Sequence, residues 1–155
     1  MVRKLSPFLV FLLAGELVAS TPEAVEITVR AINGKTGQPL VRYLIRLDGV
    51  DAMYPEANVH RLAIARTGRE GTALFKLQQP LPTALFIETE EAHFRRSGMV
   101  SCGRPQFSTE EVLRSGVVGH NGCDPQHRVR QRFSARPGEV VVFSRKKTFW
   151  ESFPG

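Results

Sequence analysis

The chain has 155 residues, with 21 Lys and Arg against 15 Asp and Glu, a formal net charge of +6. A chain of this length makes one domain, hides roughly two-thirds of its unfolded surface and folds without needing a cofactor. Its 42% apolar share is ordinary for a globular protein, and no stretch has the composition of a disordered tail.

Arg3 and Lys4 precede a short apolar run, Phe8 to Ala14, and Val18-Ala19-Ser20 supplies residues that a signal peptidase accepts. The run is shorter than the roughly 20 residues that span a bilayer, and Glu16 interrupts its end. Residues 1–20 therefore read as a cleaved signal peptide, with an uncleaved anchor or a buried strand as the alternative. The mature protein, 21–155, is expected to be secreted or periplasmic, with no transmembrane segment.

Val25, Ile27, Val29 and Ala31 alternate with Glu26, Thr28 and Arg30, the period of a half-buried strand. The turn formers Asn33 to Pro39 must reverse the chain, and Val41, Tyr43, Ile45 and Leu47 predict a second strand. Residues 48–60 read as a long loop. Leu62 to Ala65 predicts a short strand, Thr67 to Gly71 turns it, and Ala73, Phe75 and Leu77 mark the next. Gln79-Pro80-Leu81-Pro82 breaks that strand, and Ala84 to Glu88 starts another.

Residues 91–127 read as a helical insertion. Ser108-Thr109-Glu110-Glu111 has the capping-box pattern, Val112 and Leu113 continue the helix, and Gly116 ends it. In residues 128–155, Pro137-Gly138 introduces a closing strand at Val140 to Phe143, followed by a basic and aromatic tail. Short strands between regular turn signals, with little helix, predict a mainly β sandwich.

Cys102 and Cys123 flank the predicted helix. In an oxidising compartment they read as a disulfide clamping the insertion onto the sheet; two buried thiols are the alternative. The positive excess sits late, at Arg128, Arg130, Arg132, Arg136, Arg145, Lys146 and Lys147. Such a cluster is a solvated face or a contact for an acidic surface. Nucleic acid is not expected, because no stacking aromatics are set among the basic residues of an exported chain. Phe149, Trp150 and Phe153 beside Arg145, Lys146 and Lys147 make the tail the speculative contact surface, suited to a partner groove or peripheral membrane contact; folded back, they cover one end of the sandwich.

Two stretches, Ile27 to Leu40 and Ala65 to Leu77, resemble the opening strands of carboxypeptidase regulatory-like domains, the transthyretin-like β-sandwiches of exported bacterial proteins. There the pattern runs strand, T-G-x-P turn, strand, then a T-x-x-x-G-x-A-x-F-x-L hairpin. The resemblance covers residues 25–90 and implies a transthyretin-like sandwich used for attachment, assembly or ligand contact. Its motifs shape a fold and contain no chemistry. Some transthyretin-like proteins are hydrolases with a C-terminal Tyr-Arg-Gly-Ser signature. This chain has no tyrosine after Tyr54. Related iron dioxygenases hold their metal through two tyrosines and two histidines, whereas Tyr43 and Tyr54 are the only tyrosines here.

His120, Cys123 and His127 are zinc-ligand residue types, with Cys102 as a fourth, but their spacing matches no common zinc pattern. Ser97, Ser101, Ser108 and Ser115 lack a nucleophile elbow, and Glu88, Glu90 and Glu91 form a small acidic group. No catalytic constellation emerges and no cofactor is implied. The expected function is a non-catalytic accessory or binding module contacting a protein partner or an envelope polymer. A small exported enzyme or metal-binding protein using His120, Cys123 and His127 is the alternative.

Overall fold

The computed structural model describes residues 23–51, 59–91, 98–148 and 151. Nine strands and one α-helix follow in chain order. They are β1 (Val25–Asn33), β2 (Leu44–Val50), β3 (Val59–Arg66), β4 (Thr72–Leu77), β5 (Ala84–Glu90), β6 (Met99–Ser101), β7 (Gln106–Ser108), α1 (Thr109–Ser115), β8 (Val117–Val118) and β9 (Glu139–Lys146). Sheet A has the order β4-β1-β9-β6, with β8 also alongside β9; sheet B has the order β3-β2-β5-β7. Among the described residues no helix is long and apolar enough to cross a membrane.

The alternation read in the sequence builds the core between the sheets. Ile27, Val29 and Ala31 of β1, Phe75 and Leu77 of β4 and Val140 and Val142 of β9 meet Ile45, Leu47, Leu85 and Ile87 of sheet B. The capping signal also holds. The Ser108 hydroxyl accepts the Glu111 N–H, Gly116 ends α1 with φ 71°, and fully buried Val112 pins the helix to the core.

The connectivity differs from the hairpin expected for the T-x-x-x-G segment. β1 and β2 lie in different sheets, and so do β3 and β4. After β1 the chain first folds back on itself, Leu40 N–H bonding to the Ala31 carbonyl, and then swings through Arg42 at φ 65° into sheet B. The second strand therefore starts at Leu44, and Val41 stays 40% exposed instead of facing the core. Buried Thr67 fastens this corner: its hydroxyl donates to the Leu40 carbonyl at 2.5 Å and accepts the Tyr43 N–H at 3.0 Å. The Thr67–Gly71 segment then carries the chain back to sheet A. Gly71 has φ 71°, and a Cβ there would stand 2.6 Å from the Ala31 carbonyl oxygen.

Residues 91–127 hold more than a helix. β6 and β8 pair with β9 in sheet A and β7 pairs with β5 in sheet B, so this region completes an edge of each sheet. β9 is an interior strand, parallel to β1 with Val29 opposite Val140. Its unbroken run Val140-Val141-Val142-Phe143 turns apolar residues to both faces, so the outer face of sheet A needs a cover. The 119–137 segment supplies it. Val129, Phe133 and Ala135 pack over Ile32, Val141 and Phe143 in a second apolar layer that includes the two cysteines.

Candidate binding groove

Cys102, just after β6, and Cys123, in the cover segment, form a disulfide across 21 residues of sequence, with Cα atoms 5.1 Å apart. Beside it Asn121 is fully buried, its Nδ2 donating to the Gly34 carbonyl at 2.8 Å and its Oδ1 accepting the Cys123 N–H at 3.2 Å. Gly34 is obligatory here, since a Cβ would stand 2.5 Å from Cys102 Sγ and 2.6 Å from Asn121 Oδ1. Asp124 folds the next turn by accepting the N–H groups of Val129 and Gln126. The Val129 N–H above all holds its carboxyl below the ordinary aspartate range, against a smaller opposing effect of burial. The cover segment is thus pinned at its start by a bond, a buried amide and a carboxylate.

Its far end, Ser134–Gly138, is one wall of a groove of about 540 Å³ on the outer face of sheet A. The polar face of β1 (Glu26, Thr28 and Arg30) and Thr72 of β4 make the floor, and Glu70, Arg136 and Glu139 stand at its margins. Arg30 ties floor to wall, its Nη2 donating to the Ser134 carbonyl at 2.9 Å and to Glu139 Oε1 at 2.5 Å. Its guanidinium lies 5.9 Å from the Phe133 ring centroid. The other Glu139 oxygen accepts the Arg136 N–H. Arg30 Nε is buried and makes no hydrogen bond among the described residues.

The volume falls within the roughly 300–1,000 Å³ of small-ligand sites. The lining departs from the usual apolar one, because hydroxyls, guanidiniums and carboxylates dominate it. Two arginines face three carboxylates there, and Glu26 is further engaged by Lys76 at 3.2 Å. Neither a polyanion nor a polycation finds a one-sign surface.

No protein-family model, no curated protein and no solved structure matches this chain.

The residues singled out in the sequence are dispersed. Both cysteines are consumed by their bond, which removes the Cys123 thiolate from any metal site with His120 and His127. Those imidazole rings lie 5.9 Å apart, and no cluster of three or more metal-ligating side chains occurs among the described residues. In the tail, Arg145 is held by a bidentate pair with Glu151, at 2.7 and 2.6 Å, and Lys146 bonds Glu91 at 2.9 Å. Arg145 and the Thr148 amide and hydroxyl drive the Glu151 carboxyl far below the usual range, and Glu91 with Tyr43 raises the Lys146 ammonium. Of the tail cations Lys146 and Lys147 are exposed, while Phe149, Trp150 and Phe153 lie outside the described residues.

Glu88 and Glu90 pair with Arg46, which also bonds Asp48, so these carboxylates form an ion-pair network on the outer face of sheet B. Ser108 caps α1, while the Ser101 and Ser115 hydroxyls donate to the Gly103 and Glu111 carbonyls. Ser97 and Tyr54 lie outside the described residues. The groove residues Thr28, Arg30, Thr72 and Glu139 were not among the candidates. Their one signal was the polar parity of the first strand, which reads equally as plain solvent exposure.

Proposed function

We propose that the protein is an exported, non-catalytic accessory module whose groove on sheet A takes a hydroxyl-rich, neutral or zwitterionic segment of a cell-envelope polymer. The lining of that groove carries the proposal. Two threonine hydroxyls, two guanidiniums and three carboxylates offer hydrogen bonds in both directions with nearly balanced charge. Such a surface suits sugar hydroxyls better than an apolar metabolite or an anionic lipid. The disulfide supports export, because such bonds persist in oxidising compartments. Two facing sheets with a parallel β1–β9 pair support the transthyretin-like reading of the fold. A polar site of this kind binds weakly one repeat at a time, and a polymer compensates by presenting many.

The test is an amide-shift titration of the protein with muramidase-solubilised peptidoglycan fragments, a neutral β-glucan and heparin. Perturbations at Thr28, Arg30, Thr72 and Gly138 are expected with the glycan fragments and not with heparin. They should vanish in the Thr28→Val/Thr72→Val variant, which keeps side-chain shape and removes both hydroxyls. Silent groove amides at millimolar glycan would overturn the proposal.

A further inference from the structure

We propose that the open edge of β3 is a docking site for an acidic, extended segment of a partner protein, which joins sheet B as an additional strand. β3 stands at the end of sheet B with β2 as its one strand neighbour among the described residues. Every second residue of such an edge turns its N–H and C=O away from the sheet, a template for main-chain pairing. Natural edges are blunted by brevity, by proline, by bulges or by inward-pointing charge, and of these β3 has a register shift against β2 at Leu47/Asp48. β3 is eight residues long, Val59-His60-Arg61-Leu62-Ala63-Ile64-Ala65-Arg66, and has no proline. Its inward positions are apolar, since Leu62, Ala63 and Ala65 pack on the core. The opposite edges, β6 and β7, are three residues each.

Two further observations select the occupant. Exposed large apolar side chains gather here: Val59 is 58% exposed, Ile64 49%, and Val41 at the neighbouring corner 40%. The exposed charge at the Arg66 end of the edge is positive. Arg61 and Arg66 flank Ile64, and Arg42, whose N–H bonds the Thr67 carbonyl, extends the stripe past the strand's end. Arg66 is exposed, and Arg61 is only loosely engaged, its Nε 3.6 Å from Asp48. The carboxylates behind the edge, Asp48, Glu88 and Glu90, converge on Arg46. Asp51, at the strand's far end, lies 3.6 Å from His60. Ile64, Arg66 and, through the register shift, Arg61 share one face, so a partner strand whose facing residues run acidic, apolar, acidic at every second position would set carboxylates against Arg61 and Arg66 and an apolar side chain against Ile64. A second copy of β3 brings its own arginines and no carboxylate, which disfavours self-pairing.

This site lies on sheet B, away from the groove, so its failure and that of the polymer reading are separable. The probe is an acetylated, amidated eight-residue Glu-Val peptide, Thr-Glu-Thr-Val-Thr-Glu-Thr-Thr, titrated into the 15N-labelled protein, with a Lys-Val counterpart that has Lys in place of both Glu. Amide shifts confined to residues 59–66 and their β2 partners are expected. Binding should weaken at least tenfold for the Lys-Val peptide, for the Arg66→Glu variant and for a peptide N-methylated at alternate amides. Circular dichroism verifies that the variant is folded, and Arg66→Lys, which keeps the charge, should retain binding. Equal binding of the Lys-Val peptide, shifts in the groove instead of β3, or no binding would overturn the proposal. So would a dimer in sedimentation velocity that the Glu-Val peptide fails to dissociate.

Discussion

Removing the Cys102–Cys123 bond should cost both stability and the groove, in a predictable order. With a sequence separation of 21 between the cysteines, the loop-closure model assigns the bond roughly 3 kcal/mol. A domain of this size unfolds with about 2.1 cal/mol/K per residue near 60 °C, so the paired Cys102→Ala/Cys123→Ala variant should melt roughly 10 °C lower. The loss should not be uniform, because the bond pins the start of the segment whose far end walls the groove. Hydrogen exchange at residues 119–137 should accelerate at temperatures where β1, β2, β5 and β9 remain protected. Differential scanning calorimetry gives the first quantity and exchange mass spectrometry the second, with the wild-type protein as reference. A melting shift under about 3 °C, or exchange that rises equally in β1 and the cover, would refute the reasoning.

Three other expectations follow from single side chains. Asn121→Ala leaves the Gly34 carbonyl and the Cys123 N–H unpaired in a dry site, and urea unfolding should show a loss of about 2–4 kcal/mol. Thr67→Val keeps the shape but orphans the Leu40 carbonyl and the Tyr43 N–H, costing about 2–3 kcal/mol, whereas Thr67→Ser should retain most of that by the same assay. The Asp124 carboxyl, held low chiefly by the Val129 N–H, contributes stability that is fully present above its unfolded pKa of about 3.9. That contribution is lost as pH falls from there through the lower folded value. A carboxyl 13C titration should place the Asp124 midpoint below 3.9, with amide protection of the 119–137 segment falling over the same range, and Asp124→Asn should abolish that pH-dependent step; a midpoint at or above 3.9 contradicts it.

Local structure was legible where one residue type has one physical use. Ser108 with Gly116 fixed both ends of α1, and the period-two runs located the inner faces of β1 and β4. The pairing of Cys102 with Cys123 followed from an even count. Sheet membership was not legible, because alternation says which side chains face a core and nothing about which neighbour the backbone bonds. Hence β1 and β2, consecutive and similarly patterned, gave no sign of lying in opposite sheets. A better signal was the unbroken run Val140 to Phe143. A strand apolar on both parities demands two covers, and Val129, Phe133 and Ala135 were the available apolar residues just upstream. Reading that demand would have put a layer over sheet A and, at its margin, the groove. Arg30 and Glu139 carry no such mark, since their partnership joins residues 109 apart.

The two proposed surfaces meet at one segment. Thr67–Gly71 leaves β3 beside Arg66, passes between the sheets and enters β4 at Thr72, with Glu70 and Thr72 lining the groove. A strand added to β3 would use main-chain groups at the edge of sheet B, whereas a polymer in the groove would touch the outer face of sheet A. Neither occupant covers the other's contacts, so both can bind at once. Coupling between them would have to pass through the Thr67 anchor, whose two hydrogen bonds fix the crossover to the Leu40–Tyr43 corner. That anchor is buried and paired, a stiff link with a single arrangement rather than a two-state element. The geometry therefore favours independent binding. If both proposals hold, the protein would bridge a polymer and a protein by holding each on its own sheet, and Thr67→Val should weaken both affinities by loosening the crossover without creating dependence between them.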